Sequence, residues 1–145
     1  MQEQYDATTF FQGGRQLPLC QRLQALESLL LEDEDGVRRL VMRVLQRYGY
    51  TVHATARPAE ALELAARHDI ALDLLLTDVV LPDMNGQAVA TKIVALHPRC
   101  RVLYMSGYTD EAIVRHGVLD PDAAFLQKPF MAAALVQKVE EVLAS

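Results

Sequence analysis

The chain has 145 residues, 51% of them hydrophobic and 23% charged, with a net charge of -5, a mean hydropathy of +0.07 and a sequence pI near 5.3. That length and balance suit one globular domain with a real core, and exclude disorder as the main state, which needs low hydrophobicity and high net charge. The longest apolar run, Phe130 to Val136, is seven residues against the ~20 that cross a bilayer, and an acidic chain lacks the basic footprint of a nucleic-acid binder.

Residues 1–26 read as an N-terminal extension or linker ahead of a domain at 27–145. They hold no sustained period, are broken by Gly13-Gly14 and Pro18, and offer only a short helix over Leu19–Leu26. From Ser28 onward, short apolar runs alternate with helical patterns. Ser28–Leu31 is apolar after its first residue, as a strand buried on both faces should be. Gly36–Tyr48 reads as a helix, with Val37, Leu40, Val41, Val44, Leu45 and Tyr48 on one face of a 3.6-residue period. Thr51–Ala56 is a second strand, and Pro58 suits the first position of a helix over Pro58–His68. Leu72–Thr77 is a third strand, followed by a loop over Asp78–Gly86 and a helix to about His97. The strand Arg101–Met105, a short helix over Asp110–Gly117, the strand Ala123–Gln127 and a closing helix over Met131–Ala144 complete the pattern. Leu135, Val139, Val142 and Leu143 form the inner face of that last helix.

Five strands alternating with five helices call for a parallel sheet covered on both sides, with its ligand site at the C-terminal strand ends. Those ends carry Glu32-Asp33, Asp78, Ser106 and Lys128-Pro129. Converging carboxylates repel one another unless a cation sits among them, and a hard ion with oxygen ligands, magnesium, meets that need while keeping room for waters and a phosphate. Asp78 is then free to act as a nucleophile that forms an aspartyl phosphate, with Lys128 and Ser106 each available to a phosphoryl oxygen.

The segments LLLEDED (29–35), LLLTDVVLPDMNG (74–86), VLYMSGYTD (102–110) and AAFLQKPF (123–130) resemble the receiver domains of two-component response regulators, the CheY-like family. The likeness runs from Ser28 to Ala144, and its wording is most similar to receivers of hybrid sensor histidine kinases. It implies a flavodoxin-like doubly wound sheet of strand order 2-1-3-4-5. It further implies that Asp78 is the phosphoacceptor, with Mg2+ held by Asp33, Asp78 and the backbone carbonyl of Val80, and with Glu32 acting largely through water. By the same likeness, Ser106 and Lys128 bind the phosphoryl group, Ser106 and Phe125 act as a switch, Pro82 and Gly86 shape the loop, and Pro129 follows a cis peptide. Val80 and Tyr108 stand at two positions beside the phosphate that are often polar in the family, which bears on phosphate lifetime. The implied partners are a histidine kinase or phosphotransfer domain and a downstream protein, with a homodimer formed on phosphorylation as a further expectation. The implied protein is a self-phosphorylating switch with slow autodephosphorylation, not a turnover enzyme.

Competing readings are weaker. A haloacid-dehalogenase-type phosphatase also uses a nucleophilic Asp at a strand end, but needs a second acid two residues on, where this chain has Val80. A pseudo-receiver that binds proteins without being phosphorylated would not need every site residue. A dinucleotide-binding fold would need a glycine-rich loop, which is missing. Arg39, Arg43 and Arg47 form a stripe on the first helix whose default reading is a solvated face, and whose sharper one is a kinase-docking surface. His53, His68, His97 and His116 show no ligand spacing and are assigned no chemistry. Cys20 and Cys100 have neither metal-ligand spacing nor disulfide density, and no secretory signal is visible, so a reduced cytoplasmic protein is expected.

Overall fold

In the computed structural model, which describes residues 11–12, 15–16, 26–67, 69–81, 84–107 and 122–145, two short strands come first. These are β1 (Phe11–Gln12) and β2 (Arg15–Gln16), paired antiparallel. Gly13-Gly14 stands between them in sequence, and a Gly-Gly pair is a hairpin signal, but each strand is too short for a hydrophobic period to reveal it. The expected helix over 19–26 lies outside the described residues up to Leu26, which is buried in irregular backbone. The expected helix over 110–117 lies outside them entirely.

The main sheet comprises β3 (Glu27–Leu31), β4 (Thr51–Thr55), β5 (Leu74–Asp78), β6 (Arg101–Ser106) and β7 (Ala124–Gln127). Its pairings are all parallel, in the order β4-β3-β5-β6-β7. Counted along the chain this is 2-1-3-4-5, as expected. Among the described residues four helices cover it: α1 (Asp35–Arg47), α2 (Pro58–Ala65), α3 (Gly86–Leu96) and α4 (Ala132–Ala144).

Alternation along the strands divides the core into two layers. Leu30, Leu74, Leu76, Leu103 and Met105 pack under α1 and α4, whose Val41, Leu45, Leu135 and Val139 close that side. Leu29, Leu31 and Leu75 face Ala61 and Ala65 of α2 and Val89, Ala90 and Ile93 of α3. The six leucines of β3 and β5 are completely buried, each stabilising the fold by about 2 kcal/mol relative to exposure. Local chemistry agrees with this layout. Pro58 starts α2, Asn85 caps α3 by accepting the Gln87 N–H at 2.6 Å, and Asp35 and Arg47 sit at the ends of α1 where the helix dipole favours each charge.

Several boundaries move. α2 ends at Ala65 instead of reaching residue 68, because Ala66 and Arg67 are exposed and have nothing to bury; residue 68 lies outside the described residues. β5 starts at Leu74, later than Leu72, and takes Asp78 into the strand end instead of the loop. Leu40 and Tyr48 leave the expected inner face of α1, at 41% and 50% exposure. Leu40 stands at the edge of the apolar arc, and Tyr48 is the C-cap where the chain turns away. The other ends shift by a single residue, the ordinary uncertainty of helix and strand termini. No helix among the described residues is long and apolar enough to cross a membrane.

Candidate functional site

Parallel register assembles the carboxyl-end rim. Leu31 of β3 pairs with Thr77 of β5, so Glu32 emerges beside Asp78. Asp78 pairs with Met105 of β6, one residue before Ser106. Ser106 in turn pairs with Gln127 of β7, one residue before Lys128. Groups almost a hundred positions apart thus share one edge through strand alignment alone.

Lys128 is the centre of the cluster. Its Nζ lies 2.6 Å from Glu32 Oε1 and 2.6 Å from Asp78 Oδ1. Glu32 is completely buried and its Oε2 accepts the Glu34 N–H at 3.0 Å. Asp78 is almost as deeply buried, and its Oδ2 has no hydrogen-bond partner. Asp33 is exposed, and it, Glu32 and Asp78 each offer an oxygen within 4.8 Å of the others.

Two buried carboxylates, Glu32 and Asp78, share one ammonium, and the titration of Asp78 registers the excess negative charge. Burial first, then the hydrogen bond and charge of Glu32, push its carboxyl up to about 8 against the opposing pull of Lys128. Burial acts to lower the Lys128 pKa, but hydrogen bonds to Asp78 and Glu32 outweigh it and hold it above the usual lysine range. An orphaned buried carboxylate oxygen inside an all-oxygen acidic set fits a hard divalent cation, which would relieve the repulsion.

The loop after β5 is set by close approach. A Cβ on Gly86 would stand 1.9 Å from the Asp78 carbonyl oxygen, and the Gly86 N–H donates to the Val79 carbonyl at 2.7 Å. A bridge between Val80 and Asn85 closes the turn. Val80 itself is 57% exposed beside the site. On the other flank the Lys128-Pro129 peptide is cis, as the resemblance implied, and the Lys128 N–H donates to the Ser106 carbonyl at 2.7 Å. Ser106 is buried. Phe125 is half-buried opposite Tyr104, packed against the α2–α3 layer, and so shares a sheet face with Ser106. Pro82 and Tyr108 lie outside the described residues.

Sequence reasoning missed Arg38. Its Nη1 donates to the Glu32 carbonyl oxygen at 3.0 Å, and its Nη2 to Asp35 Oδ1 at 2.5 Å. The latter bond holds the Asp35 carboxyl below its usual range. An acid three residues before an arginine in a first helical turn was the available signal. Arg39, Arg43 and Arg47 are exposed and make no ion pair among the described residues. His53 pairs with Glu27 at 2.6 Å, and His97 joins the Ala65 carbonyl at 2.7 Å to the Leu72 N–H at 3.3 Å. Both are structural contacts that involve none of the rim residues. His68, His116 and Cys20 lie outside the described residues. Cys100 is buried, with its thiol pushed up to about 12 by burial first and by Asp73 next, which leaves it inert.

Fold and rim together define a doubly wound α/β protein with an acidic, lysine-bridged pocket at its switch edge. The chain belongs to the response regulator receiver domain family, which it matches over residues 29–140. It is 39% identical over 115 residues to the sensor kinase CckA of Brucella abortus (strain 2308), covering 79% of this chain and 12% of that protein. It is 31% identical over 115 residues to the response regulator receiver protein CpdR of the same organism, covering 79% of this chain and 94% of that one. The crystal structure of the receiver domain from hybrid histidine kinase CckA matches with a TM-score of 0.68 and 31% identity, over 81% of this chain and 98% of that domain. The chain therefore spans a small part of the sensor kinase and nearly all of CpdR. Receiver domains are signalling switches of two-component systems, not turnover enzymes, and they bind Mg2+ at an acidic pocket and interact with histidine kinases and phosphotransfer proteins.

Proposed function

We propose that residues 27–145 form a receiver whose Asp78 accepts a phosphoryl group from the phosphohistidine of a histidine kinase or phosphotransfer domain. The observation that carries this reading is Asp78 Oδ2, a buried carboxylate oxygen with no partner, on a residue whose Oδ1 is already bridged to an ammonium. Oδ2 attacks phosphorus in line with the imidazole nitrogen. The O–P bond forms as the P–N bond breaks, and the departing imidazole takes a proton from solvent. Such transfers have loose transition states, so positioning and charge neutralisation do most of the work.

Lys128, 2.6 Å from Asp78 Oδ1, is placed to follow a phosphoryl oxygen, and the Ser106 hydroxyl takes another. Asp33, Asp78 and the Val80 carbonyl would hold Mg2+, with Glu32 acting largely through water. The ion supplies neutralisation of the carboxylates and of the incoming phosphoryl oxygens. As Ser106 is drawn toward the phosphate, Phe125 on the same sheet face turns into the space it leaves, and the altered surface signals by protein contact, including contact with a second copy. Val80 offers no side-chain hydrogen bond to an attacking water, so the aspartyl phosphate is long-lived. The likeness to the CckA receiver supports a place in a phosphorelay, in the cytoplasm.

The test is incubation with magnesium and acetyl phosphate, followed by intact mass. Wild type gains one phosphoryl group and Asp78→Asn gains none; a gain on the Asn variant overturns the reading, and no gain on either makes the chain a pseudo-receiver.

A further inference from the structure

Asp33 is exposed, and its carboxylate has no hydrogen bond or ion pair among the described residues. With no partner among the described residues, that side chain takes its direction from the backbone beneath it. That backbone is tied down by Arg38. From the first turn of α1 its guanidinium reaches back to the Glu32 carbonyl at 3.0 Å and sideways to Asp35 at 2.5 Å. Its own N–H donates to the Glu34 carbonyl at 2.9 Å. Asp33 thus lies between anchored neighbours on both sides. The Arg38 side chain is only 21% exposed and its bond to the Glu32 carbonyl is partly buried, so water competes weakly for that bond, while the bond to Asp35 lies at the surface. A planar fork suits the task, because two of its donors diverge toward two acceptors at once.

We propose that Arg38 is a positioning residue for the divalent-cation site: it fixes the 32–35 turn so that the Asp33 carboxylate meets those of Glu32 and Asp78. This rests on the reading of those three residues as the magnesium site. The sign of the effect separates positioning from simple electrostatics. Removing Arg38 takes a positive charge away from three carboxylates, which by charge alone tightens a cation. Loss of the anchored turn loosens it.

The experiment is calorimetric titration of Mg2+ into the metal-free full chain, with acetyl phosphate labelling followed separately by mass. Arg38→Ala should raise the magnesium dissociation constant by roughly tenfold, as loss of an outer-shell partner commonly does. Arg38→Lys keeps the charge and the stem but not the fork, and should raise it by a smaller factor. The lysine variant decides the matter if the alanine variant does not fold. A lower melting temperature in chelator with unchanged or tighter magnesium binding would make Arg38 an ordinary structural residue and overturn the proposal. Wild type that binds no magnesium would overturn it too. Wild type that binds magnesium but takes no phosphoryl group overturns the proposed function instead, and weaker magnesium binding by the two variants would still support the role of Arg38.

Discussion

Replacing Gly86 by alanine perturbs a close backbone contact between the start of α3 and the strand end presenting Asp78. The added Cβ would stand 1.9 Å from the Asp78 carbonyl oxygen, 2.9 Å from its carbonyl carbon and 3.2 Å from Val79 Cα. All three are backbone atoms, so nothing at the contact can rotate away. Helix and strand must part by roughly 1 Å, an overpacking strain that costs about 3 kcal/mol. The 2.7 Å bond from the Gly86 N–H to the Val79 carbonyl bridges the same gap. Against this, alanine gains about 1 kcal/mol by restricting the unfolded chain. The net loss is about 2 kcal/mol, or roughly 6 °C in Tm for a domain of this size. Glycine to alanine at a strain-free helix start has the opposite sign. Denaturant unfolding at constant m-value measures the loss, and labelling by acetyl phosphate should slow as Asp78 is displaced. Stability equal to or above wild type would refute the close-approach reasoning.

The metal-free protein should lose stability as pH rises from about 4 to about 8. The Asp78 carboxyl ionises at about 8 when folded, against a reference of 3.8, so over that range the folded state binds more protons than the unfolded one. Melts of wild type and Asp78→Asn across the window check this; the asparagine variant should lack that part of the slope, and an equal slope contradicts it. Magnesium at ~100 times its dissociation constant should stabilise wild type by roughly 2.7 kcal/mol. Asp33→Ala should abolish the shift, and an equal shift in that variant would place the ion elsewhere. The phosphorylated protein should decay faster after donor removal when Val80→Asn and Tyr108→Glu are combined, since both supply polar groups for an attacking water. Equal or slower decay means that these positions do not set the lifetime.

The strands were legible because β3 and β5 are continuous leucine runs, the mark of a strand buried on both faces, and the rim was legible because reactive side chains end those runs. Periodicity is a local signal, and what it could not show depends on register between distant segments. That Lys128 bridges Glu32 and Asp78 at 2.6 Å each follows only once β3, β5 and β7 are aligned. Complete burial of Glu32 is equally non-local, since nothing in the run Glu32 to Asp35 marks one acid as core and the next as exposed. Gly86 was visible as a loop glycine, but the Asp78 carbonyl it abuts was not. Leu40 and Tyr48 fit the period of α1 yet face solvent, because the one stands at the edge of the apolar arc and the other is the C-cap where the chain turns away. Arg38 was hidden in plain view beside the basic stripe, its target a backbone carbonyl that no residue type announces.

Reductive trapping tests the assignment of Asp78 most directly. After incubation with magnesium and acetyl phosphate, borohydride converts an aspartyl phosphate to homoserine, and peptide mass spectrometry locates the converted residue. Conversion of Asp78 and of no other residue is the predicted result. Conversion at Asp33 or another carboxylate, or none at all while magnesium binds, would contradict Asp78 as the phosphoacceptor.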